Sequence, residues 1–108
     1  MGYVSADQDP FRAIADPKRR LMLDAMMVEE KTVGQLTNLL QVSQPTVSQH
    51  LQVLRLAGLV DERREGRNHF YSTRPAELAS VADWLEKYRL FWIRRLDALE
   101  VHLQKKKQ

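Results

Sequence analysis

Two helix-start signals in close succession constrain the fold of this chain most. Thr32 is followed by a glutamine three residues later, so each side chain can satisfy a backbone amide in a capping box. Ser43 is a favourable N-cap for a second helix, and Pro45 suits its first turn. Only Gln41 and Val42 separate the two predicted helices. So short a connection predicts a helix-turn-helix.

The second helix of this pair has one apolar and one polar face. Val47, Leu51 and Leu54 recur at i, i+4 and i+7 and predict a buried stripe, and Gly58 can end the helix in the left-handed conformation. Most other positions within residues 43–52 carry uncharged hydrogen-bonding groups, although Glu, Lys and Ala are better helix formers for a surface that only faces water. The polar or boundary residues are Ser43, Gln44, Thr46, Ser48, Gln49, His50 and Gln52.

Two further helices are predicted before this pair. Phe11 and Ile14 have helical spacing within residues 10–15, and Asp16 with Pro17 begins the next helix as N-cap and first residue. The residues expected to face inward from the second and third helices are Leu21, Ala25, Met26, Val33, Leu36, Leu39 and Leu40.

After Gly58 the pattern changes to that of a β-hairpin and then returns to a helix. Strand-forming residues flank a turn signal at Glu65-Gly66 within LVDERREGRNHFYST, and three arginines lie near the tip. Pro75 is expected to begin a last helix of roughly 30 residues, about 45 Å long, which exceeds the width of a small domain. Part of its apolar surface therefore needs a partner outside the domain.

Length and composition favour one globular domain, and the predicted elements make it mainly α with a small β-hairpin. We expect residues 1–108 to form it, with a core over residues 10–74 and the long helix over residues 75–105. There is no cysteine, no apolar run of membrane-spanning length and no signal-peptide pattern at the N-terminus, so a cytoplasmic protein is expected. The net charge of +3 permits a nucleic-acid partner. We find no catalytic residue set and no Gly-rich phosphate loop, and predict neither enzymatic activity nor a cofactor.

In this order, the predicted elements are those of a winged helix-turn-helix, α-α-α-α-β-β-α, and the chain resembles the ArsR-type bacterial transcriptional regulators. The matching stretches cover residues 11–73 and are FRAIADPKRR, Leu36 with Leu39-Leu40, VSQPTVSQHLQVLRLAGLV and RREGRNHFYS. The resemblance implies a homodimer, built through the first and last helices, that binds a pseudo-palindromic operator and usually represses transcription. Many members of this family release DNA when a metal ion binds.

The polar residues of the fourth helix are then candidates for reading base edges in the major groove. The β-hairpin, which is the wing of this fold, is a candidate for contacting phosphates or the minor groove. The wing candidates are Arg63, Arg64, Arg67 and Asn68. Lys18, Arg19 and Arg20 could add phosphate contacts. The alternatives are a solvated helix face, a charged hairpin edge that prevents edge pairing, an N-cap role for Ser43 and a hydrogen-bonded boundary role for His50.

The predicted dimer interface consists of Phe11, Ile14, Trp84, Leu85, Tyr88, Phe91, Trp92, Leu96 and Leu99. A ligand pocket is the alternative for the aromatic residues of this set. No metal site is expected, because residues 32–40 contain neither Cys nor His, and the acidic residues near His102 do not share one tight helical face. Two rival functions are a protein-interaction module that has lost DNA binding, and a repressor with a metal or small-molecule inducer at the dimer interface.

Overall fold

The computed structural model describes residues 8–106, which belong to two compact units, one ending at Leu78 and one beginning at Ala79. The two ends of the predicted single domain, residues 1–7 and 107–108, lie outside the described residues. The predicted element order is confirmed, with a short 3-10 helix before the last element. The elements are α1 (Pro10–Ala13), α2 (Pro17–Val28), α3 (Val33–Leu40), α4 (Gln44–Leu56), β1 (Val60–Glu65), β2 (Asn68–Thr73), the 3-10 helix (Pro75–Leu78) and α5 (Ala79–Lys106).

Side-chain caps begin the helices as the sequence predicts. The backbone N–H of Thr32 donates to Oε1 of Gln35 at 2.9 Å, and the N–H of Gln35 donates to the Thr32 hydroxyl at 3.2 Å, which is a complete capping box. Asp16 accepts from the backbone of α2, and Ser43 accepts from the N–H of Thr46 at 3.4 Å. These contacts span only a few residues, so they fix where each helix starts.

The connection between α3 and α4 turns through a left-handed residue. Gln41 has φ 56°, a conformation that L-residues rarely adopt. Its N–H donates to the carbonyl of Thr37 at 2.9 Å and its side-chain amide donates to the carbonyl of Asn38 at 2.7 Å. Both bonds satisfy carbonyls at the end of α3, which allows α4 to start within two residues.

A single apolar core fills the first unit. It consists of Ala13, Met22, Leu23, Met26, Leu36, Val47, Leu51, Leu54, Ala57, Leu59 and Val60. The stripe of α4 predicted to be buried, Val47 with Leu51 and Leu54, is confirmed.

Two core predictions are wrong. Leu21 is 55% exposed, because α2 packs through Met22 and Met26 instead, and Leu39 is 57% exposed. The short helix α3 packs through Leu36, which is buried, and through Val33 and Leu40, which are partly buried. Leu39 lies about 100° around the helix axis from Leu40 and so faces the solvent.

The wing is a two-stranded antiparallel hairpin with a tight connection. Glu65 pairs with Asn68, so the connection is Gly66-Arg67, one residue later than the predicted turn signal. Gly66 has φ 61°, which a residue with a side chain would adopt only under strain. Lys31 adds a short antiparallel bridge to Tyr71, with N–H to carbonyl distances of 2.9 Å in both directions.

The last helix starts later than predicted. Pro75 opens the 3-10 helix, and the α-helical conformation begins at Ala79. Gly58, at φ 76°, packs closely against this 3-10 helix, since a Cβ at that position would lie only 2.9 Å from Cγ of Glu77. No helix among residues 8–106 combines the length and apolar character needed to cross a membrane.

Candidate nucleic-acid interface

The exposed face of α4 carries polar side chains. Gln44, Ser48, Gln49 and Gln52 are exposed, and Gln49 lies nearly opposite the buried stripe that anchors the helix on the core. The amides can both donate and accept, as the edges of bases in the major groove require. The packing of α4 therefore leaves a hydrogen-bonding surface to the solvent, as expected from the sequence.

The N-cap role of Ser43 is confirmed. Its hydroxyl lies 2.8 Å from the hydroxyl of Thr46 and accepts from the Thr46 N–H. Thr46 is half-buried. Both hydroxyls thus have partners in the free protein, and a contact of either residue with DNA stays a prediction.

His50 is a hydrogen-bonded residue at the boundary of the core. Its Nδ1 lies 3.2 Å from Nη1 of Arg19, and a guanidinium can only donate, so Nδ1 accepts and the ring carries its proton on Nε2. Burial lowers the pKa of His50, an effect that Asp16 opposes and that Arg19 and Lys18 reinforce. The lowered pKa favours the neutral ring, with its Nε2–H as a donor.

The arginines of α2 are engaged with the backbone at the end of α1. Nε of Arg19 donates to the carbonyl of Ala13 at 2.6 Å, and Nη1 of Arg20 donates to that of Ile14 at 2.7 Å. These bonds occupy donors that were predicted to contact phosphates. Lys18 is exposed, and among residues 8–106 its side chain makes no hydrogen bond or ion pair.

The predicted wing residues occupy different surroundings. Arg63 donates to both carboxylate oxygens of Glu30, at 3.0 and 2.9 Å, and to Glu65 at 2.7 Å, and its guanidinium lies 4.6 Å from the centre of the Phe70 ring. Those carboxylates raise the pKa of Arg63 above its already high value. Because the guanidinium already has these partners, Arg63 is less available to a phosphate than the sequence suggests.

Arg67 is the wing arginine most available to DNA. It lies in the two-residue connection, is exposed, and within the described part of the chain its side chain has no hydrogen-bond or ion-pair partner. Asn68 is exposed beside it at the start of β2, and the side chain of Arg64 is 72% exposed although Nε donates to Glu62. The tip of the hairpin therefore presents cationic and amide donors to the solvent.

Glu62 is a site residue that the sequence analysis missed. Its side chain is 8% exposed, and its carboxylate contacts His69 Nδ1 at 2.6 Å, Arg64 Nε at 3.0 Å and Arg55 Nη1 at 2.8 Å. The hydrogen bond from His69, followed by that from Arg64, lowers the pKa of Glu62. Alternation along β1 predicts that Glu62 and Arg64 share a face, but no local pattern relates that face to the end of α4.

The residues predicted to form a dimer interface are mostly exposed. Phe11 is 39% exposed and Trp92 61%, whereas Ile14 is partly buried against the core of the first unit. The other predicted residues of α5 are between 43 and 60% exposed.

Among residues 8–106, no group of three or more His, Cys, Asp or Glu side chains is arranged to hold a metal ion.

The helix pair, the polar face of its second helix and the basic hairpin define a winged helix-turn-helix, the class of proteins in which the second helix of the pair enters the major groove of DNA. A family model described as "Bacterial regulatory protein, arsR family" matches residues 16–62. Two relatives that are 32% and 38% identical also match more than four fifths of their own length, and the chain therefore belongs to the ArsR family of bacterial transcriptional regulators.

Known relatives match this chain in sequence over most of its length. The HTH-type transcriptional regulator Rv2034 of Mycobacterium tuberculosis is 38% identical over 87% of this chain and 84% of its own. The transcriptional repressor SdpR of Bacillus subtilis is 32% identical over 69% of this chain and 83% of its own. A solved ArsR-like transcriptional regulator from Rhodococcus sp. RHA1 is 30% identical, covers 88% of this chain and 87% of its own, and superposes with a TM-score of 0.68.

Proposed function

We propose that this protein is a homodimeric repressor that binds a pseudo-palindromic operator in double-stranded DNA. The observation that carries the proposal is the exposed polar face of α4, opposite the buried Val47, Leu51 and Leu54. A protein-interaction module without DNA binding would favour an apolar or acidic face there. Repression is proposed because SdpR is named a transcriptional repressor.

In this proposal α4 reads bases and the wing contacts the backbone. Gln44, Ser48, Gln49 and Gln52 are the candidates for base edges, and Arg67 is the first candidate for a phosphate. The secondary candidates for DNA contact are Ser43, Thr46, His50, Arg63, Arg64 and Asn68. Residues 10–74 form the DNA-binding core in this proposal.

The dimer is proposed from the apolar surface of α5. This helix of 28 residues is about 42 Å long, and its exposed side chains include two tryptophans, a tyrosine and a phenylalanine. Exposed apolar surface of that extent is typical of a protein interface. Two copies paired through α5 and α1 would place the two half-sites about 34–36 Å apart, one turn of DNA.

We further propose that the protein acts by binding alone, without enzymatic activity and without a metal cofactor. Its target lies in the bacterial cytoplasm, which is where we expect it to act. Any inducer would have to change the affinity of the two α4 helices for DNA.

Selection from random DNA tests the proposal because it does not require a chosen operator sequence. The purified protein would select duplexes from a randomised pool, and fluorescence anisotropy would measure its affinity for the selected duplex and for a random duplex at two salt concentrations. We expect a two-fold symmetric consensus, bound at least ~10³-fold more tightly than random DNA. Failure to enrich any sequence would contradict base reading by α4.

A matched pair of variants assigns the reading to α4. Gln49→Ala removes an amide from the proposed base-reading face, and Gln104→Ala removes the same group from an exposed position on α5. We expect only the first to reduce the preference for the selected duplex. An equal effect of the two substitutions would contradict the assignment.

A further inference from the structure

The carboxylate of Glu62 joins two elements that the proposed function uses separately. Arg64 and His69 belong to the hairpin, whereas Arg55 lies in the last turn of α4. Oε1 of Glu62 receives the two hairpin side chains and Oε2 pairs with Arg55. One carboxylate thus connects the wing to the helix proposed to read bases.

The strand register explains how these groups come together. Glu62 is opposite Tyr71 and Arg64 is opposite His69, so all four side chains lie on one face of the hairpin. Tyr71 lines a small cleft together with Ser48 and Gln52 of α4. The face of the wing that carries Glu62 is therefore the face that packs beside the polar residues of α4.

The carboxylate of Glu62 is itself unfavourable on a surface that binds DNA. A carboxylate repels phosphates, so its presence reduces the attraction of the surface for any DNA. Glu62 is nearly buried, and its partners Arg55 and Arg64 are 52% and 72% exposed. Without Glu62 both guanidinium groups would be released, and flexible cations bind phosphates of any sequence.

We propose that Glu62 is a specificity-determining positioning residue, which fixes the wing relative to α4 and holds Arg55 and Arg64 away from sequence-independent phosphate contacts. The inference rests on the proposed function. Fixing the wing lets phosphate contacts and base contacts form in one geometry, which only the correct sequence satisfies fully. Holding the two arginines keeps the affinity for other sequences low.

Replacing Glu62 by Gln tests this inference, because the amide keeps the shape and removes the charge. The full chain would be titrated with the duplex that the wild type selects from a random pool and with a random duplex, at several salt concentrations. We expect the E62Q variant to bind the random duplex more tightly, with a steeper salt slope, and the ratio of specific to random affinity to fall about tenfold, as for one mismatched base pair.

Asp61→Asn is the matched control. Asp61 is the neighbouring residue of β1, is 61% exposed at its side chain and lies 3.6 Å from Arg74, so the change alters the net charge equally without touching the Glu62 group. We expect its specific-to-random ratio to stay within about twofold of the wild type, since a lone surface ion pair contributes little. An equal fall in D61N and E62Q would overturn the inference, because it would reduce the effect to net charge.

Two further outcomes are decisive. Arg55→Gln removes the α4 side of the same link from a half-exposed position, so it tests the link if E62Q does not fold. Because this variant also lacks one of the two cations, we expect weaker binding to the selected duplex without a gain on the random duplex, and an unchanged affinity ratio would also overturn the inference. A misfolded variant would lose affinity for both duplexes and lower the melting temperature, unlike the gain expected on random DNA. Wild-type protein without any sequence preference would refute the proposed function, whereas a ratio of specific to random affinity in E62Q equal to that of the wild type would refute the inference alone.

Discussion

Replacing Arg67 by Ala should change how DNA binding depends on salt. Arg67 lies at the turn of the wing with an exposed side chain that makes no hydrogen bond or ion pair with residues 8–106. Its guanidinium therefore gives up no intramolecular partner on meeting a phosphate. An exposed turn residue of this kind can be replaced with a change in stability within about 0.5 kcal/mol.

The size of the effect follows from counterion release. Each neutralised phosphate contributes about 0.9 to the slope of log K against log salt concentration, so two wings in the proposed dimer contribute about 1.8. Between 50 and 200 mM salt, a fourfold change, the affinity advantage of the wild type over the variant should then shrink about 12-fold. Fluorescence anisotropy with one fixed duplex at four or five salt concentrations measures the slope.

Two other arginine variants are controls for the salt slope of Arg67→Ala. Arg89→Ala removes a cation that is already bonded to Glu86 on α5, at 2.8 Å, and should leave the slope unchanged. Arg63→Ala should change the slope less than Arg67→Ala, because Glu30 and Glu65 already hold its guanidinium. A slope for Arg67→Ala equal to that of the wild type would refute the assignment of Arg67 to a phosphate.

Three other perturbations test separate parts of the structure. Gln49→Ala should weaken binding to the selected duplex by about 1–3 kcal/mol in anisotropy titrations and hardly change binding to random DNA, and equal losses would argue against base reading. Burial lowers the pKa of His50 below its ordinary value of 6.5, so the unfolded chain takes up a proton before the folded chain does as the pH falls. The stability of the protein should therefore fall as the pH falls through 6.5. Urea titrations should show a weaker pH dependence of stability for His50→Gln than for the wild type. Trp92→Ala removes a side chain that is 61% exposed on α5, and should shift the protein from dimer to monomer in light scattering, whereas a stable dimer would move the interface elsewhere.

The starts of α2, α3 and α4 and the end of α4 could be predicted from the sequence because local contacts determine them. The capping box of Thr32 and Gln35, the N-cap of Ser43 and the left-handed Gly58 all act within a few residues of chain. The stripe of α4 is equally local, since helical periodicity alone places its apolar residues on one face. For that reason the amino-acid sequence alone was sufficient to recognise the helix-turn-helix and its polar face.

The partners of the long polar side chains were decided by the tertiary structure. Arg63 meets Glu30 and Arg19 meets His50 across more than thirty residues of sequence, and Arg55 meets Glu62 between a helix and a strand. The same reason explains the exposed Leu21 and Leu39, because periodicity defines a stripe but not the neighbour that covers it. An arginine near several carboxylates has several possible partners, and only the packing of α2, α4 and the hairpin brings one within reach. Sequence therefore determined which residues face outward on α4 and that Arg67 lies near the tip of the wing, while packing determined that carboxylates hold Arg63 and Arg64.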